Sequence, residues 1–171
     1  MTKEKLLETI LTTSFTKVDA HRRIRLWREF LEQKYFGKGK KAALLEYLKK
    51  QEVSVSDIEA IDSWGEGFYD TFTKDDAYEL TDILTESLKS LALISIYVPY
   101  EATDDDHKKF GMWVRANIDK YALIEIHVDS QVFGGCAVSV DGRYYDFSLR
   151  HRLETHTQDI HGILEKYVNA Q

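Results

Sequence analysis

The sequence predicts an α+β protein, with an amphipathic helix bundle over residues 1–92 followed by a small strand-helix-strand-strand-helix unit over residues 93–171. Three observations predict it. Apolar residues recur at helical spacing through the first part, they alternate with polar ones from Leu93 onward, and the single proline, Pro99, stands at the change of period. No repeat with a period of about 20 to 50 residues and no low-complexity segment is present, which sets aside solenoids and arrays.

In the first part, Lys3 to Thr13 reads as a helix. Asp19 to Tyr35 reads as a second, with Ile24, Trp27, Phe30 and Leu31 on one face and Gly37-Lys38-Gly39 as its stop. Lys40 to Lys50 carries Leu44, Leu45 and Leu48 at the same spacing, and Ser56 to Phe72 forms a fourth helix interrupted by Gly65 and Gly67. The fifth begins at Thr73, where Thr73-x-x-Asp76 resembles a capping box, and runs through Leu80, Ile83, Leu84, Leu88 and Leu91. Amphipathic helices joined by short connections pack as a bundle.

The second part opens with Leu93 to Val98, in which Ile94, Ile96 and Val98 alternate with Ser95 and Tyr97 as in a half-buried strand. Thr103 followed by Asp104, Asp105 and Asp106 is an acidic helix start suited to the helix dipole, with Phe110, Trp113, Val114 and Ile118 as the apolar stripe. Ile124, Ile126 and Val128 alternate again. After Gly134-Gly135 so do Cys136, Val138 and Val140, up to the hairpin turn Asp141-Gly142, from which Arg143 to Phe147 returns. From Ser148 the chain reads as a closing helix with Leu149, Leu153, Ile160, Ile163, Leu164 and Tyr167 as its apolar positions.

Composition narrows the function. With 171 residues and 43% hydrophobic content the chain builds one ordinary domain or two small ones. The net charge of -6 disfavours a general nucleic-acid binder, whose affinity comes from neutralising phosphates. A lone cysteine, Cys136, makes no internal disulfide and fits a reducing compartment. The apolar run from Leu91 to Val98 is too short to span a bilayer, and the N-terminal stretch resembles neither a signal peptide nor a mitochondrial transit sequence, so a bacterial cytosolic protein is expected.

The chemistry-bearing patterns are sparse. Gly134-Gly135 lacks the further glycines and the Lys-Ser/Thr of a phosphate loop, so the pair reads as a bulge or tight packing point. Asp146 and Ser148 are placed to cap the last helix, Ser148 being the better candidate. His151, His156 and His161 stand five apart, a rotation of roughly 140 degrees per step that scatters them around a helix. No metal, no cofactor and no catalytic residue is therefore expected. The most basic window, Arg22 to Arg28, interleaves cations with Ile24, Leu26 and Trp27 and reads as the polar face of an amphipathic helix.

One motif is specific. Val128-Asp129 leads through Gly134-Gly135 into an apolar strand, the Asp141-Gly142 turn, and then Asp146-Phe147-Ser148-Leu149-Arg150-His151-Arg152-Leu153. This resembles the C-terminal motif of the ATP synthase delta subunit and of its mitochondrial equivalent, the oligomycin-sensitivity-conferring protein. The resemblance covers about residues 91 to 153, and its structural motif residues here are Asp129, Gly134, Gly135, Asp146, Ser148, Arg152 and Leu153. Phe147 stands where that family usually has glycine, and Cys136 where it has an aliphatic residue.

The resemblance implies a non-catalytic stator subunit on the cytoplasmic face of the membrane, serving proton-driven ATP synthesis. Its helical part would grip the N-terminal helix of an alpha subunit. Its α+β part would hold the C-terminal end of the b-subunit stalk, with no direct nucleic-acid contact and only peripheral membrane association. Two other readings of the residues stay open. One is a small α+β ligand-binding or enzymatic domain with its site at Gly134-Gly135; the other is a helical adaptor that binds nucleic acid through the Arg22 to Arg28 face.

Overall fold

The computed structural model describes residues 1–37, 43–157 and 161, and mixes helices with one sheet in an α+β fold. Its first helices begin where a threonine meets an unpaired backbone N–H. Thr2 Oγ1 accepts from Lys5 N to start α1 (Lys3–Thr13), and Thr16 Oγ1 accepts from Asp19 N at 3.0 Å to start α2 (Lys17–Phe36). The Thr16 cap explains why α2 starts ahead of the expected Asp19. Next comes α3 (Leu44–Lys50); residues 40–42 of the helix expected there lie outside the described residues.

The helix expected from Ser56 to Phe72 is two helices, α4 (Val55–Asp62) and α5 (Glu66–Tyr69). Gly65 separates them with φ of 80°, a left-handed conformation that no continuous helix contains. Thr73 does accept from Asp76 N, at 3.3 Å, but this closes a turn, and the regular helix α6 (Ala77–Lys89) starts later than expected. Trp27 of α2 is the hub of the core around these helices, with ring centroids 5.4 Å from Phe30, 5.6 Å from Phe68 and 5.4 Å from Phe72. Its indole N–H is the one buried side-chain polar group among the described residues without a partner.

The sheet contains β1 (Leu93–Val98), β2 (Leu123–Val128), β3 (Ala137–Val140) and β4 (Arg143–Asp146) in the order β2-β1-β3-β4. Strands β1 and β2 are parallel, from Leu93↔Leu123 to Val98↔Val128, and are joined by α7 (Asp104–Asn117). Thr103 and Asp106 close a reciprocal capping box at the start of α7. The expected succession was one strand short. Asp141 and Gly142, at φ of 49° and 75°, make the primed turn that returns Arg143–Asp146 in register against β3, so this segment is a full strand. Last among the described elements is α8 (Leu149–Thr155); Ile160, Ile163, Leu164 and Tyr167 lie outside the described residues.

One sheet face carries Ile94, Ile96, Val98, Ile124 and Val138, which pack with Val114 of α7 in a second apolar core. The two cores meet at β2. Leu123 belongs to the helical core, Ile124 N donates to Phe15 O at 2.9 Å, and Thr16 adds a parallel bridge to Ile124. Arg115 of α7 donates to Leu11 O, to Ser14 O at 2.7 Å and to Ala122 O at 3.0 Å, with its guanidinium 4.9 Å from the Phe15 ring. Gly111 lets Phe15 approach, since a Cβ there would lie 2.5 Å from its ring.

Candidate functional site

Five of the seven motif residues gather at the crossing between β2, β3 and α8. Asp129 Oδ1 accepts from Gln131 N at 2.9 Å, which turns the chain after β2. Gly134 and Gly135 follow with φ of 64° and 97°. A Cβ on Gly135 would lie 2.6 Å from Phe147 O, and one on Gly134 would lie 3.1 Å from Leu149 Cβ. The glycines therefore let the chain pass its own later segment, where Leu149 N donates to Gly134 O at 2.6 Å and Phe147 N to Cys136 O at 2.9 Å.

Asp146 Oδ1 accepts from Ser148 N at 2.8 Å, and Ser148 Oγ accepts from His151 N at 3.2 Å to cap α8. These bonds to Ser148 hold the Asp146 carboxyl below the usual carboxylate range. Burial, with the Asp146 charge adding to it, pushes the Cys136 thiol up. Arg152 and Leu153 are not part of this crossing and stand exposed on α8.

What the crossing builds is a surface. The apolar stripe expected on α7 divides: Val114 is buried and Phe110 packs against the sheet core, while Trp113 is 52% and Ile118 42% exposed. These two overhang the β3–β4 half of the sheet, with Val138, Val140, Tyr145 and Phe147 opposite. The resulting groove has a volume of about 280 Å³ and is lined by apolar and aromatic side chains, Phe147 being 52% exposed. Phe147, one of the two departures from the motif the sequence resembles, lines this groove.

The basic window on α2 is differently placed. Arg23 is buried and donates to Asp57 at 2.8 Å, to Thr13 O and to Ser14 Oγ, while Arg22 reaches both Asp57 and Asp19. Burial pushes the Asp57 carboxyl up, but the hydrogen bonds from Arg22, Ser54 and Arg23 outweigh it and hold it at about 2. Arg28 pairs with Asp82 at 2.7 Å and Arg25 faces Glu29 at 3.8 Å. The Arg22 to Arg28 cations are thus matched by carboxylates, and their field on a phosphate backbone is correspondingly weak.

A cleft of about 380 Å³ beside this network is lined by Asp19, Arg22, Arg23, Glu59, His107 and Lys108 among others, with opposite charges interspersed. Among the described residues no group of three His, Cys, Asp or Glu side chains could hold a metal ion, and no helix is long and apolar enough to cross a membrane. Sequence reasoning missed Asp57 and Arg115. Ser54-x-x-Asp57 carries only the ordinary signal of a helix start, and nothing local marks Arg115. Comparison of the chain with models of protein families finds no match, and comparison with curated proteins finds none either.

Proposed function

We propose that the chain is a delta-type peripheral-stalk subunit of a rotary F-type ATP synthase, a connector between the catalytic head and the b-subunit stalk. In this reading it performs no turnover; it holds static subunits against the torque of the central shaft. The helical part takes the N-terminal helix of an alpha subunit, and the α+β part takes the C-terminal end of the stalk. The observation that carries the reading is the groove between Trp113 and Ile118 on one side and Val138, Val140, Tyr145 and Phe147 on the other. It is apolar, open and bounded by a helix and a sheet, the setting in which an amphipathic helix lays its apolar face. The sequence motif supports the same reading, because Gly135 packs against the backbone of Phe147, which lines that groove.

The test is calorimetric titration of the full chain with two synthetic peptides from the same organism, one copying the C-terminal helix of the b subunit and one the N-terminal helix of the alpha subunit. One-to-one binding of both is expected. Trp113→Glu should abolish binding of the b peptide, leave that of the alpha peptide unchanged and shift the unfolding midpoint little, since Trp113 is half exposed. If a folded sample binds neither peptide, the stator reading is wrong.

A further inference from the structure

The other face of the sheet has an unrelated character. Strand alternation and the register put Glu125 and His127 of β2, Ser95 and Tyr97 of β1, Ala137 and Ser139 of β3, and Tyr144 and Asp146 of β4 on it. Among the described residues the helical core takes in Leu123 from this face, and beyond it the Glu125, His127 and Tyr144 side chains are about half exposed. Ala137 and Ser139 are small, so the larger side chains of the flanking strands close over them. Tyr97 stacks on His127 with centroids 5.2 Å apart and meets Tyr144 at 5.8 Å, forming one aromatic strip across the sheet.

Carboxylates surround the strip. Glu125 lies 3.5 Å from His127, and Asp129 and Asp146 are near enough to Tyr144 that they, after burial, push its phenol up. No lysine or arginine occupies a strand position of this face, and Arg150, whose charge reaches Asp146, is tied to Glu154 at 2.9 Å. Aromatic strips on open sheets also serve as base-stacking platforms, but those are lined with cations that hold phosphates, whereas this one is ringed by anions.

We infer that this face is a docking surface for a cationic segment of a protein partner, whose arginine or lysine side chains lie over Tyr97 and Tyr144 and pair with Glu125, Asp129 and Asp146. Ring faces attract cations, guanidinium above ammonium because it also stacks, and the carboxylates supply the complementary charge. The inference stands independently of the stator reading, since it uses the opposite face of the sheet from the groove.

The experiment is an NMR titration of the isotope-labelled full chain with a short peptide of alternating arginine and threonine, its lysine counterpart, and oligothymidylate. The alternation presents every second side chain to one face, as an extended segment would. Shifts confined to Tyr97, Glu125, His127, Tyr144 and Asp146 are expected, with the arginine peptide about threefold tighter than the lysine one. Tyr97→Ala combined with Tyr144→Ala should weaken binding about tenfold. Glu125→Gln, on an exposed position that folding tolerates, should weaken it about twofold to threefold. Equal shifts at exposed acids of α6 such as Glu79 and Glu86 would mean charge adhesion alone and overturn the inference. So would binding of the oligonucleotide, or unchanged affinity in both variants.

Discussion

Replacing Arg115 by methionine keeps most of the aliphatic stem and removes the guanidinium from the joint between the two parts of the chain. Three carbonyl oxygens then lose a charged donor: Leu11 O and Ser14 O at the end of α1, and Ala122 O at the start of β2. Helix α1 has no basic residue in its own last turn, so Arg115 from α7 and Arg23 from α2 supply the cations that its C-terminal carbonyls favour. A hydrogen bond from a charged donor contributes about 1.5–3 kcal/mol net. Burial opposes the charge and pulls the Arg115 pKa from 12.5 down to about 10, still protonated at neutral pH, a cost of about 3 kcal/mol.

Three bonds less that cost leave about 1.5–6 kcal/mol for the side chain. In a chain of this size that is a drop in thermal midpoint of about 3–24 °C, with a corresponding fall in the urea midpoint followed by tryptophan fluorescence. Arg115→Lys, which reaches fewer carbonyls with a single ammonium, should fall between the two. Amide exchange at Ile124, whose N–H is held by Phe15 O, should quicken in the methionine variant. A loss below about 1 kcal/mol, or full recovery by lysine, would refute the account of Arg115 as a multidentate joint.

Gly135→Val places a Cβ 2.6 Å from Phe147 O at a φ of 97°, and urea unfolding should show a loss of about 2–4 kcal/mol. Gly111→Ala directs a methyl into the Phe15 ring and should cost about 1–3 kcal/mol by the same measurement. Asp57, held at about 2 against an ordinary 3.8, contributes stability that is complete above its unfolded value and is lost as pH falls from 3.8 through 2. That contribution is about 2 kcal/mol, so Asp57→Asn should be less stable than the parent at pH 7 and should lose less on acidification, as read from urea midpoints across that range.

Much of the architecture was legible because its causes are local. Strand β1 was read residue for residue from the alternation of Ile94, Ile96 and Val98, and the start of α7 from Thr103 and three following aspartates. The Asp141-Gly142 turn was read from two residue types that accept positive φ. The split between α4 and α5 was only half legible: Gly65 marked an interruption, but a four-residue helix carries too little periodicity to be delimited. The Gly134-Gly135 pair reads as a bulge or tight packing point in sequence, although what it packs against, Phe147 O and Leu149, is set by the tertiary fold.

The groove was present in the sequence only as the α7 stripe, whose Trp113 and Ile118 fall at core spacing yet stand about half exposed in the fold. Arg115 and Asp57 were invisible for a related reason. The partners of Arg115 at the end of α1 are about a hundred positions away in the chain, and the arginine partners of Asp57 more than thirty, so no window of periodicity contains both halves of these contacts.

The bridge from Thr16 to Ile124, with the bond from Ile124 N to Phe15 O, bears on the order in which the molecule is completed. Synthesis delivers α1 to α6 first, but Leu11 O and Ser14 O lack their charged donor until Arg115 has been made, and the helical core lacks Leu123. The helical part therefore emerges as an unfinished body, open at the place where the sheet will later dock. Its closure is a late event tied to the arrival of β2, so a chaperone acting on the nascent chain would meet the exposed α1–α2 turn before it met any strand.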